Sequence, residues 1–277
     1  MSTPTYQELL EAGVHFGHLR KKWNPKMSPY IFGERKGIHI IDLHKTSNKL
    51  EESAAALRQI AKSGKKILFV ATKKQAKEIA ADNARRVNMP FVTERWLGGM
   101  MTNFATIRKS IKKMQSIDKM SSDGSFESIT KKERLMLQRE RDKLERVIGG
   151  IAQLNRLPAA LLIVDISHEH IALAEATKLN INTIGLVDTN SDPTKVDFAI
   201  PCNDDASKSI KLITDYLTNA IAQGLEERKK VKAEMDAAAK DAKEDKAAAA
   251  AAAAERKADA EAEAPAEEAK KAEKPAK

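Results

Sequence analysis

The chain has 277 residues, with 48 lysines and arginines against 39 aspartates and glutamates, for a formal net charge of +9. Its one cysteine, Cys202, excludes an internal disulfide and a cysteine-based zinc site and fits a reducing cytoplasm. The polar start Met1–Glu8 does not resemble a signal peptide, and no apolar run approaches the roughly 20 residues of a membrane span, so a cytoplasmic protein without a membrane segment is expected.

Thr3 and Pro4 predict a short helix running to Glu11 and stopped by Gly13. A loop rich in His, Lys and Trp follows, then a hairpin in which Ile31-Phe32 and Ile38–Ile41 flank Gly33–Gly37. A helix is expected over Lys45–Lys62, ending at Gly64, with Leu50, Ala54, Leu57 and Ile60-Ala61 on one face. Ile67–Ala71 reads as the first strongly apolar strand. Thr72 is placed to cap a helix over Lys73–Val87, and Phe91–Thr93 is a shorter strand. Leu161–Asp165 and Thr183–Asp188 are two further strands around a helix His168–Leu179. Phe198–Pro201 is a fifth strand, and a helix Asp205–Gln223 directs Ile210, Ile213, Leu217 and Ile221 inward. Continuous apolar strands alternating with amphipathic helices predict an α/β fold: a flavodoxin-like or Rossmann-like doubly wound, five-stranded parallel sheet covered on both faces.

The segment Asn103–Ile148 interrupts this alternation. Ile107, Ile111, Met114 and Ile117 form a narrow seam, Ser121–Ser125 a turn, Thr130–Glu133 a capping box, and Leu137, Leu144 and Ile148 a second seam. These features predict an inserted α-helical hairpin of coiled-coil type. From Gly224 onward, 54 residues include 21 Ala and no Trp, Tyr, Phe, Ile or Cys, so this stretch cannot build a packed core. About Leu225–Ala254 has the composition to continue the last helix, and the region of Pro265 and Pro275 reads as disordered. The expected organisation is therefore a sandwich from residues 1–102 and 149–223 with a basic extension over 1–44, a helical hairpin over 103–148, and a tail over 224–277.

The tail carries 13 basic and 14 acidic residues, so residues 1–223 hold 35 and 25, a net of +10. Such an excess suits a polyanion, usually nucleic acid. Residues 15–49 concentrate eight Lys and Arg and four of the six histidines with only two acids, interleaved with Trp23 and Tyr30. Cations bind phosphates, and exposed rings stack on unpaired bases. On this reading Arg20, Lys21, Lys22, Lys26, Arg35 and Lys36 contact RNA with Trp23 beside them, while Phe16 covers the sheet edge. In Arg95-Trp96-Leu97-Gly98-Gly99-Met100-Met101-Thr102-Asn103, the glycines permit a tight turn and close backbone approach. Asn103 is placed to cap the helix bearing Arg108, Lys109, Lys112 and Lys113, giving an anion-facing corner that opens into a basic arm. Residues 106–146 hold 12 basic and 7 acidic side chains, which either clamp an RNA backbone or solvate a spacer.

Two other chemistries are weighed. His15 and His18 could share a metal with Asp188, Asp192 or Asp205, but two histidines do not make a ligand set, and no metal is assigned. The loops Ala71–Gln75, Asp165–His170 and Asp188–Pro193 sit where doubly wound sheets bind ligands, as an isomerase-like or nucleotide-binding enzyme would use them. Neither a G-x-G-x-x-G nor a Walker-type loop is present, and adjacent Ser167-His168 makes no triad.

Leu9–His18 with Lys22–Met27 resembles the opening signature of the bacterial ribosomal protein S2 family, as does Tyr30–Gly33 with Gly37–Leu43. Arg95–Asn103 is similar to the family's middle signature. Pro158–Asp165 leading to Glu175-Ala176, and Asp188–Pro193, resemble its C-terminal one. The resemblance runs collinearly from about residue 3 to 223. It implies a flavodoxin-like sandwich with an inserted helical hairpin and no catalytic role, cofactor or small-molecule substrate. It implies a place on the solvent side of the small ribosomal subunit near the head–body junction. The implied partners are small-subunit ribosomal RNA and neighbouring ribosomal proteins, including the large multi-OB-fold ribosomal protein of messenger RNA capture. The long Ala/Lys/Glu tail departs from the family pattern.

Overall fold

In the computed structural model, which describes residues 3–123, 130–233 and 235, the chain opens with helix α1 (Tyr6–Glu11). Thr5 and Glu8 cap it reciprocally, satisfying two of its orphan N–H groups. Strands β1 (Phe16–Leu19), β2 (Ile31–Arg35) and β3 (Ile38–Ile41) then form an antiparallel sheet in the order β1-β3-β2. The expected hairpin is β2–β3, turning through Lys36 and Gly37, both at positive φ. Strand β1 stands where a loop is expected. Its sequence shows no apolar alternation, and distant partners hold it instead. The His18 N–H donates to Thr189 Oγ1 at 2.8 Å, and Gly17 lies so close to Thr189 that a Cβ would overlap that side chain.

Helix α2 (Leu43–Lys62) starts two residues before the expected position because Asp42 Oδ1 accepts the His44 N–H at 3.0 Å. Then follow β4 (Ile67–Val70), α3 (Lys77–Arg86), β5 (Phe91–Val92), α4 (Phe104–Ser122), α5 (Lys131–Ile148), β6 (Ala160–Val164), α6 (His170–Lys178), β7 (Asn182–Val187) and β8 (Phe198–Pro201). Helix α7 begins at residue 207 and is helical through 226. The five strands expected as a parallel sheet form one, in the order β5-β4-β6-β7-β8, the flavodoxin-like arrangement. Every residue of β4 and β6 is buried, which explains their uninterrupted apolar sequences. Ile67, Phe69, Leu162 and Val164 pack towards α2, α3 and α7; Leu68, Val70, Leu161 and Ile163 pack towards α6 and the base of α4 and α5. The chain divides into two compact units, residues 1–226 and 227–277. In the second, residues 227–233 are helical, and the expectations for later residues, including Pro265 and Pro275, lie outside the described residues. Among the described residues no helix is long and apolar enough to cross a membrane.

One local expectation is corrected. Thr72 does not cap α3: its N–H and hydroxyl both donate to Glu169 Oε1, at 2.8 and 2.5 Å, so the chain makes a turn first and α3 starts at Lys77. No α-helix joins β7 to β8, only a turn with a short 3-10 segment, Pro193–Lys195. The last helix runs on through Gly224, which lies where α7 meets α2; a Cβ there would overlap the Arg58 carbonyl oxygen.

Helices α4 and α5 pair as an arm. Ile107, Ile111, Met114 and Ile117 are buried, facing half-buried Leu137 and Leu144 and buried Ile148. Lys113 pairs with Glu140 across the seam, and Arg141 Nε donates to Asp118 at 2.8 Å. The Thr130 hydroxyl accepts the Glu133 N–H at 3.4 Å, as the capping-box sequence predicts. Asn103 does not cap α4 through its side chain. Its Oδ1 accepts the Thr106 hydroxyl at 2.9 Å instead. Of the expected turn, Ser121 and Ser122 belong to α4, while Gly124 and Ser125 lie outside the described residues. The arm returns to the sheet through Gly149 and Gly150. A Cβ on Gly150 would overlap the Phe91 carbonyl, which is backbone and cannot move aside; one on Gly149 meets only the flexible Glu145 side chain. Gly150→Ala is therefore expected to destabilise the protein by about 1–3 kcal/mol in urea unfolding, and Gly149→Ala by clearly less.

Candidate nucleic-acid interface

The basic extension folds onto the carboxyl ends of the parallel strands. The Asn24 N–H donates to the Thr189 carbonyl at 2.8 Å, and Lys26 Nζ reaches Asp192 Oδ2 at 2.7 Å. The Lys26 ammonium drives the Asp192 carboxyl down to about 2, assisted by the Thr194 hydroxyl. Lys26 thus has an intramolecular partner, as does Arg20, which pairs with Glu34 at 3.1 Å. Trp23 is 37% exposed and lies against His39, with ring centroids 5.2 Å apart. Lys21, Lys22, Arg35 and Lys36 are exposed and carry no ion pair among the described residues. Phe32, on the same small sheet, is 81% exposed.

The middle motif does face an anion, but that anion is the chain's own Glu175, from α6. Trp96 Nε1 and the Gly99 N–H donate to Oε1 at 3.0 and 2.8 Å. The Met101 N–H, Thr102 N–H and Thr102 hydroxyl donate to Oε2 at 2.9, 2.9 and 3.1 Å. Burial pushes this carboxyl up. The donors from Thr102, Trp96, Met101 and Gly99 together outweigh burial and hold it below its ordinary value. Gly99 takes φ +83°, which suits a residue without a Cβ and turns its N–H inward. Gly98 stays exposed, with open space around it. Beyond this loop Arg95, Asn103, Arg108, Lys109 and Lys112 are exposed, and the four basic residues among them carry no ion pair among the described residues; Lys113 is spent on Glu140.

The crevice between β4 and β6, where such a sheet ordinarily holds its ligand, is filled by side chains of the chain itself. Lys73 Nζ lies 3.2 Å from Asp165, 2.7 Å from Asp204 and 2.6 Å from Asp205. Burial opposes the Lys73 charge, but Asp204 and Asp205 raise its pKa well above the ordinary lysine value. Burial, with Asp165 and Asp188 nearby, pushes Asp204 up to about 7. His18 Nδ1 lies 2.8 Å from Asp188 and Nε2 3.4 Å from Asp205, and the Asp188 hydrogen bond raises its pKa. His18, Asp188 and Asp204 are the set among the described residues that could hold a metal ion, with ligand atoms within 4.8 Å of one another. His15 takes no part in that set: it packs on Phe16 with centroids 4.0 Å apart, and burial lowers its pKa. Four carboxylates here repel a phosphate, which argues against nucleotide chemistry at this crevice.

The fold and site together define a doubly wound scaffold that displays its cations on appendages instead of gathering them at the sheet's switch point. The family model described as Ribosomal protein S2 matches residues 9–224, and the chain belongs to that family. It is similar to proteins named small ribosomal subunit protein uS2. It is 59% identical to that of Phocaeicola vulgatus over 242 residues, covering 87% of each chain. To that of Cytophaga hutchinsonii it is 60% identical over 241 residues, covering 87% of this chain and 94% of the relative. To that of Flavobacterium johnsoniae it is 60% identical over 239 residues, covering 85% and 94%. These relatives are named as ribosomal proteins and not as enzymes.

Sequence reasoning on its own passes over Glu175 as a site residue, and over Lys73 and Asp165 as partners. The available signal for Glu175 is an acid on the apolar stripe of α6, between Ala172 and Ala176. Glu175→Gln puts an amide NH₂ against N–H donors. It is expected to cost roughly 2–3 kcal/mol and to speed hydrogen exchange over residues 96–102. Since the folded carboxyl titrates below its ordinary 4.5, its contribution is complete above that value and is lost as pH falls through the folded pKa. The variant's deficit should therefore shrink in acid. For Asp192, NMR titration should give a midpoint near 2, returning towards 3.8 in Lys26→Ala. The stability from that pair is present above 3.8 and fades as pH falls towards 2.

Proposed function

We propose that this protein is a structural component of the small ribosomal subunit that binds small-subunit ribosomal RNA, chiefly through phosphate and ribose. The observation that carries this reading, beside family membership, is the placement of the unpaired cations. Lys21, Lys22, Arg35 and Lys36 on the extension, and Arg95, Arg108, Lys109 and Lys112 on the loop and arm, are exposed and carry no ion pair among the described residues. Cations left free on projecting elements suit a partner that is large, anionic and read by shape. The α/β body from residues 1–102 and 149–223 serves as the mount and the hairpin 103–148 as a reach along RNA.

Neighbouring ribosomal proteins belong to the same proposal, with the large multi-OB-fold protein of messenger RNA capture among them on the strength of the family resemblance. The exposed Phe16, Leu19 and Phe32 of the small sheet offer an apolar surface of the kind a protein neighbour covers. Lysate sedimented through a high-salt gradient tests the reading. The protein should travel with small subunits at fixed stoichiometry, and release as free protein would overturn it. A variant with Arg35, Lys36, Lys109 and Lys112 all changed to Ala should keep its melting temperature. Its affinity for small-subunit ribosomal RNA should fall at least about tenfold, with a log–log salt slope less steep by about 3.

A further inference from the structure

A cleft of about 730 Å³ opens beside the carboxyl ends of β6 and β7, between α6 and the turn over residues 190–195. It lies apart from the acid-filled crevice, and neither the extension's free cations nor the arm contributes to it. Its floor is apolar, from Ile166, Leu173 and Ala174. Lys178 and Lys195 also line it, and neither has an ion pair among the described residues. The one acid in the lining, Asp192, is already neutralised by Lys26 at 2.7 Å and engaged by the Thr194 hydroxyl and N–H. Asn24, anchored on Thr189, is the extension's contribution to the wall.

These features select a ligand. An apolar floor with hydroxyl and amide groups above it suits a planar base with polar edges. Two uncompensated ammonium groups suit phosphates on either side of it. The volume falls within the range of about 300–1,000 Å³ found for pockets that enclose one small ligand, too small for a base-paired helix. We infer that this cleft receives a single unpaired nucleotide of an RNA strand, its base on the Ile166–Leu173–Ala174 floor and its flanking phosphates on Lys178 and Lys195. The inference rests on the ribosomal RNA-binding reading above and adds to it one nucleotide-sized seat where the other contacts track a backbone.

The test uses the purified full chain and a short single-stranded ribo-oligonucleotide carrying thiouridine, followed by fluorescence anisotropy and by photo-crosslinking with peptide mapping. Crosslinks are expected within residues 166–178 or 190–195. Lys178→Ala with Lys195→Ala should weaken binding about tenfold and make the salt slope less steep by about 1.4, the value for two single-strand phosphates. Ala174→Trp, which fills the floor without changing charge, should abolish the cleft crosslinks. Both variants alter exposed residues, and unchanged thermal melts will establish that they fold. Wild-type crosslinking by Ala174→Trp, or crosslinks confined to other segments, overturns the cleft assignment. If binding is then lost only in the Arg35, Lys36, Lys109 and Lys112 variant, the RNA-binding reading stands alone. A wild-type chain that binds no RNA overturns both. Adenosine monophosphate displacing the oligonucleotide at equal affinity would assign the cleft to a free nucleotide and overturn the strand.

Discussion

One buried carboxylate organises one whole side of this molecule. Glu175 sits on the face of α6 that packs on the sheet, where an unpaired charge would be strongly unfavourable. It is stabilised by five donors, all from the backbone or side chains of a single loop, and among the described residues by no cation. The loop therefore has one conformation that satisfies the charge, and Trp96, Met100 and Met101 are carried into the core as it forms. Because α4 begins directly after that loop, the direction in which the arm leaves the body follows from the same interaction. Arm, loop and α6 are set by one electrostatic requirement, with hydrophobic packing filling in around it.

A second constraint is charge segregation. Doubly wound sheets usually present an open crevice at the switch point, and here Lys73, His18 and four aspartates occupy it. The fold's ordinary ligand site has become an internal joint that fastens the extension to the sheet. Positive charge without an ion pair among the described residues lies instead on the extension and the arm, on Lys21, Lys22, Arg35, Lys36, Arg108, Lys109 and Lys112. The same architecture serves enzymes elsewhere, so the fold alone does not set the function.

Much of this could be read in the sequence because it depends on local pattern. Ile67–Val70 and Ala160–Val164 are buried on both faces and so are apolar without alternation, and the seam Ile107, Ile111, Met114 and Ile117 follows from helical period alone. What escaped was decided by distant partners. Strand β1 lacks any alternation and exists because Thr189 and β3 receive it; Thr72 has the chemistry of a cap but is claimed by Glu169. The site divides in the same way. That Arg35, Lys36, Lys109 and Lys112 are exposed was legible from charge clustering, whereas the engagement of Lys26, Arg20 and Lys113 by acids was not, since each partner lies on another element. The anion at the Gly98-Gly99 corner was foreseeable as an anion but not as Glu175, because no local rule links a loop to a helix more than seventy residues later.

The docking of the extension also has a consequence in time. His18 finds Thr189 and Asp188 across separations of 171 and 170 residues. A chain made from its amino end exposes this basic, aromatic segment long before its acceptors are synthesised, and loop closure over that span is costly in entropy. Strand β1 can pair with β3 early, but its docking onto Thr189 and Asp188 must wait until β7 and the turn behind it exist. For most of its synthesis the nascent protein carries a free cationic leader, and it becomes a finished surface only when the far edge of the sheet arrives to receive it.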